Sequence, residues 1–315
     1  MIVTLTPNPS VDHAMVIGSL ARGEVLRASE SRLDAGGKGV NVSRALAANG
    51  AATLAVVPLG GHQGHLLADL LATTGVTHRP VTLAGSTRMN VSVLEPDGTT
   101  TKLNEPGPTL SASENTAMIQ TTLDAAEGAD WLAVCGSLPP GATPDIYAAL
   151  RAGAGARDVR FVVDSSGASF AVAVETRPTL IKPNHEELAE LVGHALPTLR
   201  DVRDAARELV SSGIEIVAVS LGADGAALFT ADEAAHAHAS VSAPVSTVGA
   251  GDCMLAGLLH GLTSGLSIGE ALVSGVAWGS AAVALPGSSV PTPADVRTVA
   301  PVLSSELPLS MELGH

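Results

Sequence analysis

Aromatic side chains are nearly absent from this chain: three Phe, two Trp and one Tyr make up only 2% of its 315 residues. A composition that is 46% hydrophobic must therefore build its core from Ala, Val and Leu. Cysteine is limited to Cys135 and Cys253, which excludes a disulfide framework, offers no metal-binding spacing and suits a reducing, cytoplasmic compartment. The ten histidines form no HExxH-like pattern, so no histidine metal site is inferred. No apolar run is long enough to span a bilayer, and no secretory leader pattern is present. Lysine is scarce too. Only Lys38, Lys102 and Lys182 stand against fourteen arginines, which singles each of them out, although a codon bias produces the same scarcity. The net charge of −14 disfavours nucleic acid and anionic membrane as partners.

What the chain does have is alternation. Short apolar runs at Val3–Leu5, Thr53–Val57, Trp131–Val134, Phe161–Val163, Thr179–Ile181 and Ile216–Ser220 read as buried strands. Between them, helical patterns cover Val40–Ala48, Gly64–Thr74, Ser113–Glu127, Asp145–Arg151, His185–Leu191 and Val202–Ser211. That order predicts an α/β fold with a doubly wound, mostly parallel sheet flanked by helices, whose ligands sit at the carboxyl ends of the strands. Two more polar, strand-like segments break the rhythm, 11–35 and 86–104. The second contains the hairpin signal Glu95-Pro96-Asp97-Gly98. Together they predict a small β-sheet lid on a core formed by 1–10, 36–85 and 105–315. The tail from Ser304 to His315 reads as weakly ordered.

The most informative stretch is Val245-Ser246-Thr247-Val248-Gly249-Ala250-Gly251-Asp252. It reads as a strand, a glycine turn and a helix start, because Leu255, Leu258, Leu259 and Leu262 follow at helical spacing. Amide N–H groups of Gly249, Ala250, Gly251 and Asp252 at such a start favour an anion. An acidic residue there repels a phosphate but suits a base that deprotonates an attacking alcohol, or else Asp252 simply caps the helix. Asp34-Ala35-Gly36-Gly37-Lys38-Gly39-Val40-Asn41 is a second glycine turn before a helix. It is neither a Walker A loop nor a dinucleotide fingerprint, and a tight connection is its plainer reading. Asp12 and Ser137 leave strand ends, while Arg88 and Asn90 enter the lid segment. Asn184 and Glu187 match a capping box, and equally could place Glu187 near a magnesium-bound water. Ser220, Gly222 and Gly225 fit either a nucleotide-facing turn or a plain hairpin.

Taken in order, these motifs resemble the ribokinase/PfkB carbohydrate kinase family from Thr4 to about Gly287. Gly36–Val42 is similar to its N-terminal signature, Ser246–Asp252 to its C-terminal signature, and Asn184–Glu187 to its N-x-x-E element. Ser246 stands where many members carry Asp, as is common in the phosphosugar branch. The chain most resembles the bacterial 1-phosphofructokinases, and its Gly-Gly-Lys-Gly form is similar to these and to tagatose-6-phosphate kinases more than to the minor type of 6-phosphofructokinase. The resemblance implies a ribokinase-like fold and ATP-dependent phosphorylation of the C6 hydroxyl of fructose 1-phosphate. Tagatose 6-phosphate and fructose 6-phosphate are alternative acceptors, and a non-catalytic sugar-phosphate sensor is the reading of a different class. It implies Asp252 as base and Gly249, Ala250 and Gly251 as the anion hole. Asp12, Gly36, Gly37, Asn41, Lys38, Arg88, Asn90, Lys102 and Ser137 would hold the phosphosugar, with Arg27 reaching its phosphate from the lid. Lys182, Asn184, Glu187, Ser220, Gly222, Gly225 and Thr247 would surround ATP and Mg²⁺, with Glu187 acting through water and Asp164 a further metal candidate. Pairing of lids implies a homodimer.

Overall fold

A computed structural model describes residues 1–143 and 145–313. The strands are β1 (Ile2–Leu5), β2 (Ser10–Val16), β3 (Glu30–Gly36), β4 (Thr53–Leu59), β5 (His78–Thr82), β6 (Arg88–Leu94), β7 (Thr100–Asn104), β8 (Trp131–Cys135), β9 (Arg160–Asp164), β10 (Leu180–Ile181), β11 (Ile216–Ser220), β12 (Ala226–Phe229), β13 (Ala234–His238) and β14 (Val302–Leu303). The helices are α1 (Lys38–Ala48), α2 (Gly61–Thr73), α3 (Ala112–Ala125), α4 (Asp145–Gly155), α5 (Gly167–Glu175), α6 (His185–Val192), α7 (Leu199–Ser211), α8 (Ala250–Thr263), α9 (Ile268–Val283) and α10 (Pro293–Val296).

Ten strands form the main sheet in the order β14-β13-β12-β11-β10-β9-β8-β1-β4-β5. From β5 through β11 every neighbour is parallel; β12, β13 and β14 extend the edge antiparallel. Helices cover both faces, and this is why the strands are apolar on successive residues. Val3, Leu5, Leu132 and Val134 pack with Met118, Tyr147 and Phe170 on one side. Ile2, Trp131 and Ala133 pack with Leu46, Leu255 and Trp278 on the other. The chain runs from β1 outward to β4 and β5, then returns to place β8 on the opposite flank of β1. That reversal opens a crevice at the carboxyl ends of the central strands.

A second sheet has the order β3-β2-β6-β7. Its hairpin between β6 and β7 closes through Glu95 N–H to Thr99 O, with Gly98 at φ 90°. Two expectations are corrected. Val245–Val248 is not a strand: Val245 is 61% exposed, and the N–H groups of Val245 and Ser246 both turn to Val283 O at the end of α9. The tail is packed down to Leu313, which is buried, and it bridges Thr198 through Glu312; Gly314 and His315 lie outside the described residues.

Candidate active site

Helix α8 begins at the centre of the crevice. Gly249 caps it with φ 79°, a left-handed conformation natural to glycine. Ala250 N–H turns back to Thr247 O at 3.3 Å. Among the described residues the N–H groups of Gly251 and Asp252 take no backbone partner, so the anion site is narrower than four free amides.

Asp252 lies in this first turn and is buried. Its Oδ2 accepts a 2.8 Å hydrogen bond from Asn41 Nδ2, which comes from α1. Burial, and then the negative charge of Asp164, push the carboxyl up to about 7, while Asn41, Lys38 and Lys182 pull the other way. A carboxylate poised near neutrality is what a general base requires.

Asp164, fully buried at the end of β9, is flanked by two of the three lysines. Lys38 Nζ donates to its Oδ1 at 2.8 Å, and Lys182 Nζ stands 3.2 Å from its Oδ2. Burial alone would raise this carboxyl, but the two ammonium groups outweigh it and hold it below its usual value. Lys38 Nζ also reaches Glu187 Oε1 at 3.5 Å. Glu187 in turn completes the capping box of α6, accepting from Asn184 N–H at 2.9 Å through Oε2. Asn184 and Glu187 thus form the capping box of α6 and also line the polar cavity.

Two cavities of about 620 Å³ each meet here. The first is polar. The small sheet gives it Ser10, Asp12, Arg88, Asn90, Lys102 and Asn104, and the core gives it Gly37, Lys38, Asn41, Ser137, Lys182, Glu187, Gly249 and Asp252. Burial raises the Asp12 carboxyl, with bonds from Ser10 (2.6 Å) and Asn90 (3.2 Å) and the charge of Arg88 opposing. The Arg88 guanidinium is engaged by the carbonyls of Asn8 and Glu105, so it braces the cavity wall while facing the cavity. Gly36 lies behind Asp12: a side chain there would strike the Asp12 carboxylate.

The second cavity is mostly small and apolar, with Gly222, Gly225, Ala226, Ala250, Met254, Val276, Gly279 and Val283. Gly225 is required there because a Cβ would collide with the backbone of β13. Asn184, Ser220, Thr247 and Gly251 line both cavities and mark their junction.

Of the residues expected from the sequence, Arg27, Gly36 and Asp164 do not line either cavity. Arg27 is exposed on the loop between β2 and β3; Asp164 is fully buried and paired with Lys38 and Lys182, which do line the polar cavity. Residues missed by the motifs include Asn104, the apolar wall from α9, and Arg44. Arg44 is three residues after Asn41 on α1, a spacing that puts both on one helix face. Among the described residues no cluster of three acidic, Cys or His side chains could hold a metal alone, and no helix is long and apolar enough to cross a membrane.

Residues 6–295 match the family described as pfkB family carbohydrate kinase. The chain is 38% identical to a 1-phosphofructokinase of Rhodobacter capsulatus over 95% of both chains. It is 40% identical to a 1-phosphofructokinase of Haloferax volcanii over 95% of this chain and 96% of that one. Among solved structures it is similar to phosphofructokinase-2 from Escherichia coli in complex with substrates and products, with a TM-score of 0.89 and 34% identity, covering 94% of this chain and 97% of that one.

Proposed function

The chain belongs to the pfkB family of carbohydrate kinases, phosphotransferases with an alcohol acceptor, and from that premise we propose that it phosphorylates the C6 hydroxyl of D-fructose 1-phosphate with ATP. The observation that carries this reading is the position of Asp252, which lines the polar cavity directly beside Gly251, one of the four residues shared with the apolar cavity; we assign the polar cavity to the phosphosugar and the apolar one to the nucleoside. The names of the relatives favour fructose 1-phosphate over fructose 6-phosphate or tagatose 6-phosphate. A binding-only sensor would have no use for a base beside that junction.

In the proposed reaction the C6 oxygen bonds to the γ-phosphorus, and the bond from that phosphorus to the bridging oxygen of ADP breaks. The hydroxyl proton passes to Asp252. The start of α8 and Lys182 face the transferring group, so charge develops against fixed donors. Asp12, Asn41 and Asn90 orient the sugar hydroxyls, and Arg88, Lys38, Lys102 and Ser137 face the side where its phosphate sits. The donor set fits a hydrated Mg²⁺ carried by the nucleotide: Glu187 opens toward the cavity and would hold it through water, while Asp164 is already taken by two lysines. Mg²⁺, when bound, supplies further neutralisation of phosphate charge. We place the enzyme in the cytoplasm, in keeping with its two buried thiols.

Asp252→Asn tests the base. It should retain ATP and sugar binding by calorimetry while kcat falls roughly 10²–10⁴-fold. Turnover near that of the parent enzyme would remove Asp252 from the chemistry.

A further inference from the structure

We propose that Arg44 is a positioning residue that fixes the polarity of Asn41 and thereby orients the base Asp252. This rests on the reading of Asp252 given above. Arg44 is buried in α1, away from both cavities. Its Nη1 lies 3.2 Å from Asn41 Oδ1, and Asn41 Nδ2 lies 2.8 Å from Asp252 Oδ2. A side-chain amide can face either way, but a guanidinium carries donors only. The Asn41 oxygen must therefore face Arg44, and its NH₂ must face Asp252. Reversed, the amide would present an oxygen to the base, which only a protonated carboxyl could satisfy.

The same nitrogen also lies 3.1 Å from Ala35 O and 3.2 Å from Ser288 O, so its two hydrogens are shared among three acceptors. Ala35 immediately precedes the Gly36-Gly37 turn, and Ser288 packs beside Gly249 at the start of α8. One guanidinium thus ties together the end of β3, the amide that holds the base, and the loop that backs the anion site. A buried arginine with no acidic hydrogen-bond partner is costly to keep. Burial lowers its affinity for a proton, opposed only by the more distant Asp34, Cys253 and Asp12. That cost makes sense when three carbonyl acceptors need one donor at this point.

The test uses Arg44→Met, Arg44→Lys and Asn41→Asp in the full chain, each also combined with Asp252→Asn. At saturating substrates, Arg44→Met should lower kcat about tenfold or more with the KM for ATP little changed, because the lost interaction acts at the transition state. Arg44→Lys, which keeps a donor, should recover most of that kcat. In the Asp252→Asn background Arg44→Met should cost almost nothing further, since both changes break the same chain. Asn41→Asp retains a partner for Arg44 but shows the base an acceptor, so its kcat should fall as well. It keeps the test open if Arg44→Met does not fold. Additive losses in the double variant, or full kcat in Asn41→Asp, would overturn the proposal. Full activity in Asp252→Asn itself would overturn the base reading instead.

Discussion

At the scale of single residues, Asp252 carries an energetic signature that stability can read. Its folded carboxyl titrates near 7 because burial and Asp164 disfavour the charge, whereas an unfolded Asp titrates near its ordinary value of 3.8. Between those two values the folded state binds more protons, so this group makes the protein less stable as pH rises through that window. Below it both states are protonated and no cost remains. Asp252→Asn should therefore raise Tm by a few degrees at pH 8, with the gain shrinking toward pH 4, as thermal melts across that range would show. An unchanged or lower Tm at pH 8 would contradict the assignment of a strained, buried charge. Asp252 was legible in the sequence because its glycines are. Arg44 was not, because its role depends on three carbonyls brought together from Ala35, Asn41 and Ser288, distant in the chain or visible only in space.

At the scale of elements, the small sheet shows strict alternation. Ser10, Asp12, Arg88, Asn90, Lys102 and Asn104 share one face and line the polar cavity. On the opposite face the register places Leu33, His13, Val91 and Leu103 in one row, with Val11, Met89, Met15 and Val93 beside them. Leu103 is 61% exposed there and Leu33 37%. A one-residue slip would exchange the faces, so both must be matched to something. We propose that a second copy covers the apolar face, pairing the small sheets as lids and leaving Arg27 near that junction. Leu103→Asp should then convert a dimer to a monomer in sedimentation velocity at micromolar concentration; a parent protein that is already monomeric, or a variant that stays dimeric, would reject this interface. The hairpin was legible from Pro96-Asp97-Gly98. The stretch Val245–Val248 misled because β-branched residues signal strand only where a neighbouring strand can pair with them, and here the amides of Val245 and Ser246 meet the end of a helix while that of Val248 bonds to the Ser246 hydroxyl.

For the whole molecule, the parallel strands from β4 to β11 were readable as apolar runs, since both faces of each are covered by helices. The antiparallel edge was not: β12 is Ala-Ala-Leu-Phe and β13 is Ala-Ala-His-Ala-His, too short and too weakly patterned to stand out. That edge nonetheless builds the turn around Gly222 and Gly225 and so one wall of the apolar cavity. The fold thus sets an apolar cavity against a polar one, with Asp252 in the polar cavity beside the residues that the two share. The most direct test of that account is ADP release by the purified protein with Mg²⁺–ATP and fructose 1-phosphate, fructose 6-phosphate, tagatose 6-phosphate, fructose and ribose in parallel. The account predicts the highest kcat/KM for fructose 1-phosphate and little turnover of the unphosphorylated sugars, whereas a higher kcat/KM for any other acceptor, or no ADP release with any of them, would contradict it.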